Sequence, residues 1–184
     1  MSASRKKPSE VAAGSLLLAH PSLGDENFHR TVIFMSEHDE DGSMGVVLNR
    51  PKGKFLSEIN GEFALGPLSG VPVFEGGPVQ TEQLLLAAWE VREDGFRVHF
   101  ALEPDRAAEL LRDPEVEVRA FLGYAGWTAG QLDDELAQNT WVVAAMPAGL
   151  LAQPADVSLW RRVLGGQGEE WRLLADEPDD TSLN

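Results

Sequence analysis

Glu37-His38-Asp39-Glu40-Asp41 places five potential acid, base or metal-ligating side chains in consecutive positions. Carboxylate oxygens in such number suit hard cations: calcium, magnesium or manganese. A strand through these positions would send neighbouring side chains to opposite faces, so the five cannot all converge on one ion. A solvated hairpin tip has the same composition, and no metal site is assigned. His20, His29, His38 and His99 are scattered along the chain. A general base needs a partner within hydrogen-bond reach; Asp25 with His29 and Asp39 with His38 are the pairs the spacing offers. Asp133-Asp134-Glu135 reads either as paired acids or as an acidic first helical turn favoured by the helix dipole.

The stretch GYAGWTAGQLDDEL, Gly123 to Leu136, raises phosphate chemistry, because glycine-rich loops before helices expose N–H groups to anions. No Lys or Arg stands in it, and Asp133, Asp134 and Glu135 would repel an anion. Thr128 as N-cap with Gln131 three residues on forms a T-x-x-Q capping box, and Trp127 with Leu132 has hydrophobic-staple spacing. Gly123 and Gly126 would then free the backbone to turn out of a preceding strand. The stretch is expected to be a strand exit and a capped helix start, not a phosphate cradle.

The elements follow from patterning. Ser15–Ala19, Thr31–Glu37, Met44–Leu48, Gln83–Val91, Phe96–Leu102, Val116–Leu122 and Trp141–Ala145 read as strands, and Val71–Phe74 as a short one beginning near Pro72. Asp41-Gly42 predicts a hairpin turn. The first long strands end at His20-Pro21 and Asn49-Arg50-Pro51, and GGPV (76–79) reads as a turn. Pro104–Arg112 and Val157–Leu164 read as helices, Phe55–Ile59 as a short helix, and Glu170–Ala175 as strand or helix. Residues 52–71 otherwise show no clear period. The expected fold class is α+β: a single compact domain with a mostly antiparallel or mixed β-sheet and packed helices. Residues 1–10 form an expected flexible tail, 11–175 the domain, and 176–184 a loose acidic tail.

Bulk properties bound the function. A chain of 184 residues can bury about 70% of its unfolded surface around one core. It has no cysteine, which excludes thiol catalysis and cysteine-bound zinc. G-x-S-x-G, HExxH, the P-loop, GxGxxG and the EF-hand loop are absent. The formal net charge is −15, and the Arg5-Lys6-Lys7 segment offsets a still more acidic remainder. That charge opposes direct nucleic-acid binding, whose affinity comes largely from neutralised phosphates. Apolar runs are too short for a membrane span, and with no secretory signal a cytoplasmic location is expected.

With these segments in view, the chain resembles the AlgH/YqgE family of bacterial proteins. The resemblance is carried by GSLLLAHPSLGDENFHRTVIFMSEH (14–38), GSMGVVLNRP (42–51), FEGGPV (74–79), LGYAGWTAGQLDDEL (122–136) and Trp141. It implies a compact α+β fold in a bacterial cytosolic protein and implies no reaction. The family's description as a transcriptional regulator fits poorly with an acidic chain lacking an evident helix-turn-helix.

Three functions are weighed. The first is a non-catalytic regulatory or protein-binding module, since no catalytic set is recognisable. The second is a small-molecule-binding protein or enzyme with a pocket near the Gly76-Gly77 and Gly123–Gln131 turns. Its candidate residues are Asn49, Gly76, Gly77, Tyr124, Trp127 and Gln131, which fall at strand ends and turns where sites gather. The third, a DNA-binding regulator, is the least favoured. No cofactor is called for.

Overall fold

The computed structural model describes residues 11–93 and 95–178. The tails expected at 1–10 and over most of 176–184, and Asp94 of the expected Asp94-Gly95 turn, lie outside them.

β1 (Leu16–Ala19) is an uninterrupted apolar run because both its faces are covered. Leu16 and Leu18 enter an inner core; Leu17 and Ala19 enter an outer one. β2 (Val32–Asp39) divides the same way, with Val32 and Phe34 inside and Ile33 and Met35 outside. β3 (Gly42–Val47) returns antiparallel to β2, with Asp39 opposite Gly42. The two-residue turn is therefore Glu40-Asp41, one residue earlier than Asp41-Gly42 predicts. Gly42 serves another purpose: a Cβ there would fall 2.5 Å from the Trp127 carbonyl oxygen.

The remaining strands are β4 (Pro51–Phe55), β5 (Pro72–Glu75), β6 (Val79–Arg92), β7 (Gly95–His99), β8 (Val116–Thr128) and β9 (Trp141–Ala144). They join one sheet in which β4-β5-β8-β3-β2-β1-β9 is the main path and β6 carries β7 beside β8. All pairings are antiparallel except β5 with β8, so the fold is α+β with a mixed sheet. The helices are α1 (Leu56–Ile59), α2 (Pro104–Leu110), α3 (Gln131–Ala137), α4 (Val157–Gly165) and α5 (Glu169–Ala175). Trp160 and Leu164 of α4 and Ala175 of α5 close the inner core with Trp89 and Phe121. α1 and α2 cover the outer face at Leu86, Val118 and Ala120, and Leu132 of α3 joins Trp127 and Trp141 in the other outer core.

Four further expectations are corrected. Pro51 opens β4 rather than ending the preceding strand, although all five β4 residues are exposed. Val79, expected in a turn, begins β6, well before Gln83. Most consequential, the strand does not end at Gly123: Gly123 bends the backbone with φ at 76°, and β8 then continues through Tyr124-Ala-Gly-Trp127 to Thr128. Gly123 is needed because residues 77–81 cross over it. A Cβ there would meet the Gly77 carbonyl oxygen at 2.4 Å and the Val79 carbonyl oxygen at 3.0 Å. The N-cap of α3 is Gly130, not Thr128. Half of the expected capping box survives: the Thr128 N–H donates to Gln131 Oε1 at 3.1 Å.

Candidate functional site

Two concavities lie on either side of the 77–81 crossing. The larger is an open groove of about 730 Å³ on the ends of β2, β3 and β8. Its geometry follows from register. Glu37 lies opposite Met44, and Met44 opposite Gly126; Asp39 lies opposite Gly42, and Gly42 opposite Thr128. Residues two apart on a strand share a face, so Glu37 and Asp39 stand side by side, with Asp41 at the turn. Gly126 keeps the floor hollow, since a Cβ there would lie 3.5 Å from the Tyr124 ring and 3.8 Å from Val79. Tyr124, Val79 and Met44 supply the apolar part of the lining. Three carboxylates thus rim a groove with an aromatic floor.

Behind the groove, Trp127 is only 6% exposed. Its ring stacks on Phe28 at 6.4 Å and meets Trp141 edge-on at 6.1 Å. One carboxylate oxygen of Glu135 accepts from both indoles, at 3.2 Å from Trp127 and 3.1 Å from Trp141. Asp133-Asp134-Glu135 is therefore split: Glu135 is an internal acceptor, while Asp133 and Asp134 occupy the first turn of α3. On the same side of the sheet, His38 Nδ1 lies 2.5 Å from Ser43 Oγ, and its Nε2 lies 3.8 Å from Asp133. His38 thus pairs across the hairpin and not with Asp39, whose carboxylate accepts the Asp41 N–H at 2.8 Å. Serine, histidine and carboxylate in a row resemble a nucleophilic relay. The Asp133 side chain is 70% exposed, however, and a carboxylate in water orients a base weakly. His29 Nδ1 bonds the Leu23 carbonyl oxygen at 2.8 Å, while the Asp25 carboxylate accepts the Asn27 N–H. Among the described residues, no three or more His, Asp or Glu side chains gather as a metal site.

The second concavity, about 260 Å³, opens on the other side of the crossing, between Arg50 and Lys52 and the wall formed by Gly77 and Thr81.

The six sequence-predicted site residues separate. Tyr124 and Trp127 line the groove, and Gly77 lines the smaller cavity. Gly76 is buried and ties strands together: its N–H donates to the Leu122 carbonyl at 2.9 Å and its carbonyl accepts from Val47 at 2.9 Å. Asn49 is buried as well. Its side-chain oxygen accepts the Val32 N–H at 2.9 Å, and its Nδ2 donates to the Arg30 carbonyl at 3.0 Å and the Asp156 carbonyl at 3.3 Å. Gln131 is exposed at the start of α3. The sequence reading missed Glu37, Asp39 and Asp41 as groove residues and Arg50 and Lys52 as cavity residues. Alternate spacing in the acidic run was the available signal for the first three.

A family model described as AlgH-like matches residues 16–172, a span that contains both concavities. The chain belongs to the AlgH-like family. A UPF0301 protein of Streptomyces avermitilis is 42% identical over 184 residues, covering 93% of this chain and 94% of that one. One from Mycolicibacterium smegmatis is 36% identical, covering 95% and 92%. The solution structure of the AlgH protein from Pseudomonas aeruginosa matches with a TM-score of 0.65 at 27% identity, covering 92% of this chain and 95% of that one. A crystal structure of a protein from Corynebacterium diphtheriae matches with a TM-score of 0.73 at 24% identity, which bears on the fold alone. None of these names states an activity. Among the described residues of this AlgH-like protein, no helix is long and apolar enough to cross a membrane.

Proposed function

We propose that this AlgH-like protein is a non-catalytic regulatory module that docks a cationic segment of a partner protein in the groove on β2, β3 and β8. One observation carries the reading: alternating carboxylates and an aromatic floor share that groove. Glu37 and Asp39 are two residues apart on a strand, about 6.6 Å, which matches alternate side chains of an extended basic peptide. Tyr124 can take a guanidinium or ammonium group on its ring face. Met44 and Val79 suit the aliphatic stems of Lys and Arg. A net charge of −15 would speed the approach of such a partner and discourage nucleic acid.

The test is an anisotropy titration with a labelled peptide alternating Arg with small residues, alongside co-purification from cell extract. The wild-type protein is expected to bind the peptide at low salt, more weakly as salt rises, and to retain a reproducible partner. The Glu37→Lys/Asp39→Lys/Asp41→Lys variant should lose both. Equal binding by that variant would overturn the reading.

A further inference from the structure

The structure assigns a second ligand site to the cavity beside Gly77, and the geometry points to a small oxyanion: a phosphate or carboxylate group on a short hydroxylated skeleton. The local charge is the first reason. Acidic residues outnumber basic ones 30 to 15 in the chain, yet Arg50 and Lys52 both line this cavity against the single carboxylate of Glu75.

The state of those cations is the second. The Arg50 guanidinium is fixed by three backbone carbonyls: Asn27 at 2.6 Å, Glu26 at 3.0 Å and His29 at 3.3 Å. These acceptors are neutral, so they orient the group without cancelling its permanent charge. The ion pairs among the described residues include neither Arg50 nor Lys52. Two cations facing one small cavity repel each other, and an anion between them relieves that repulsion. The same three bonds draw the 26–29 loop to the cavity, where Asn27 joins the lining.

Neutral groups complete the chemistry. The Asn27 amide and the Thr81 hydroxyl can donate to anionic oxygens. Glu75, on the β5 side, can only accept when ionised, so it suits a ligand hydroxyl. The lining thus offers several donors and one acceptor, with Glu75 set beside Arg50, whose carbonyl accepts the Glu75 N–H at 2.8 Å. A hydroxylated skeleton can reach the donors and that acceptor together, whereas inorganic phosphate has only its own P–OH to offer Glu75.

The experiment is a ¹⁵N NMR titration of the full chain with inorganic phosphate, with glycerol 3-phosphate and with lactate, each against sodium chloride of equal ionic strength. Saturable shifts are expected at the Asn27, Gly77 and Thr81 amides, with glycerol 3-phosphate binding more tightly than inorganic phosphate. Lys52→Ala should weaken binding by about tenfold or more, as expected for loss of a charged hydrogen-bond donor. Lys54→Ala, on the same strand but outside the cavity lining, should not. Lys52 is exposed, so its replacement leaves the core intact. Unmoved amides for all three ligands, shifts reproduced by chloride, or unchanged affinity in Lys52→Ala would each overturn the assignment. Because Glu37, Asp39 and Asp41 take no part in this cavity, failure here and failure of peptide docking are separable.

Discussion

The backbone of Gly77 rests directly on the backbone of Tyr124: a Cβ at Gly77 would lie 2.3 Å from the Tyr124 carbonyl oxygen. Gly77 walls the cavity and Tyr124 floors the groove, so this one contact sets the shape of both. Gly77 also holds φ at 153°, a conformation that residues with side chains rarely adopt. Clash and strain both act on backbone that cannot swing aside. Gly77→Ala is therefore expected to cost more than about 3 kcal/mol of stability. Denaturant unfolding measures it; a loss under about 1 kcal/mol would mean that the crossing can loosen.

Asn49 should behave as a structural clasp. Replacing it with Ala leaves the buried Val32 N–H and Arg30 carbonyl without their partners. The expected loss is about 2–4 kcal/mol, with binding of peptide or anion unchanged in whatever protein remains folded. Lost binding with wild-type stability would instead mark Asn49 as a ligand contact.

The sequence showed the apolar strands well and the glycines badly. Leu16–Ala19 and Val32–Met35 are apolar at every position, and that signal survives because both sheet faces are buried. β4 gave no such signal: Pro51, Lys52, Gly53 and Lys54 are exposed, and the strand exists only through pairing with β5. Gly123 does use its backbone freedom, with φ at 76°, yet local preference carries no information about the neighbouring segment and so suggests an end to a strand that continues. Only the assembled sheet shows Gly123 yielding to residues 77–81 and Gly126 hollowing a groove. Tyr124 and Trp127 were named from their setting, and the groove lining includes both. Arg50 and Lys52 were not, since their cavity needs the distant 26–29 loop and Thr81.

Asp156 caps α4, and its stabilising effect should fade in acid. The Ser158 hydroxyl and then the Ser158 N–H hold its carboxyl below its ordinary value of 3.8. A carboxyl with a lowered folded pKa contributes stability in full above the unfolded value, and loses it as pH falls through the folded one. Asp156→Ala should therefore lower Tm by roughly 2–4 °C at neutral pH. The gap between the two proteins should begin to narrow as pH falls below the unfolded value and reach its minimum only below the folded one. A gap that stays constant into strong acid would show that the charge plays no part.

Glu135 offers the sharpest test of the aromatic wall behind the groove. Its Oε1 accepts from the Trp127 and Trp141 indoles, and its Oε2 accepts from Gln131 Nε2 at 3.2 Å. Both indoles are more than nine-tenths buried, so neither N–H can readily turn to water. Glu135→Leu removes every acceptor and keeps an apolar side chain, at an expected cost of about 2–4 kcal/mol. Glu135→Gln keeps one carbonyl oxygen with two lone pairs, enough for both indoles. It loses the charge that strengthens such bonds, so about 1 kcal/mol is expected. Tryptophan fluorescence should shift clearly in the Leu variant and little in Gln. The carboxylate sits behind the groove rather than in its lining, so peptide binding by the folded Gln variant should match wild type. Equal stability of the Leu and Gln variants would mean that the shared acceptor does not hold the two tryptophans.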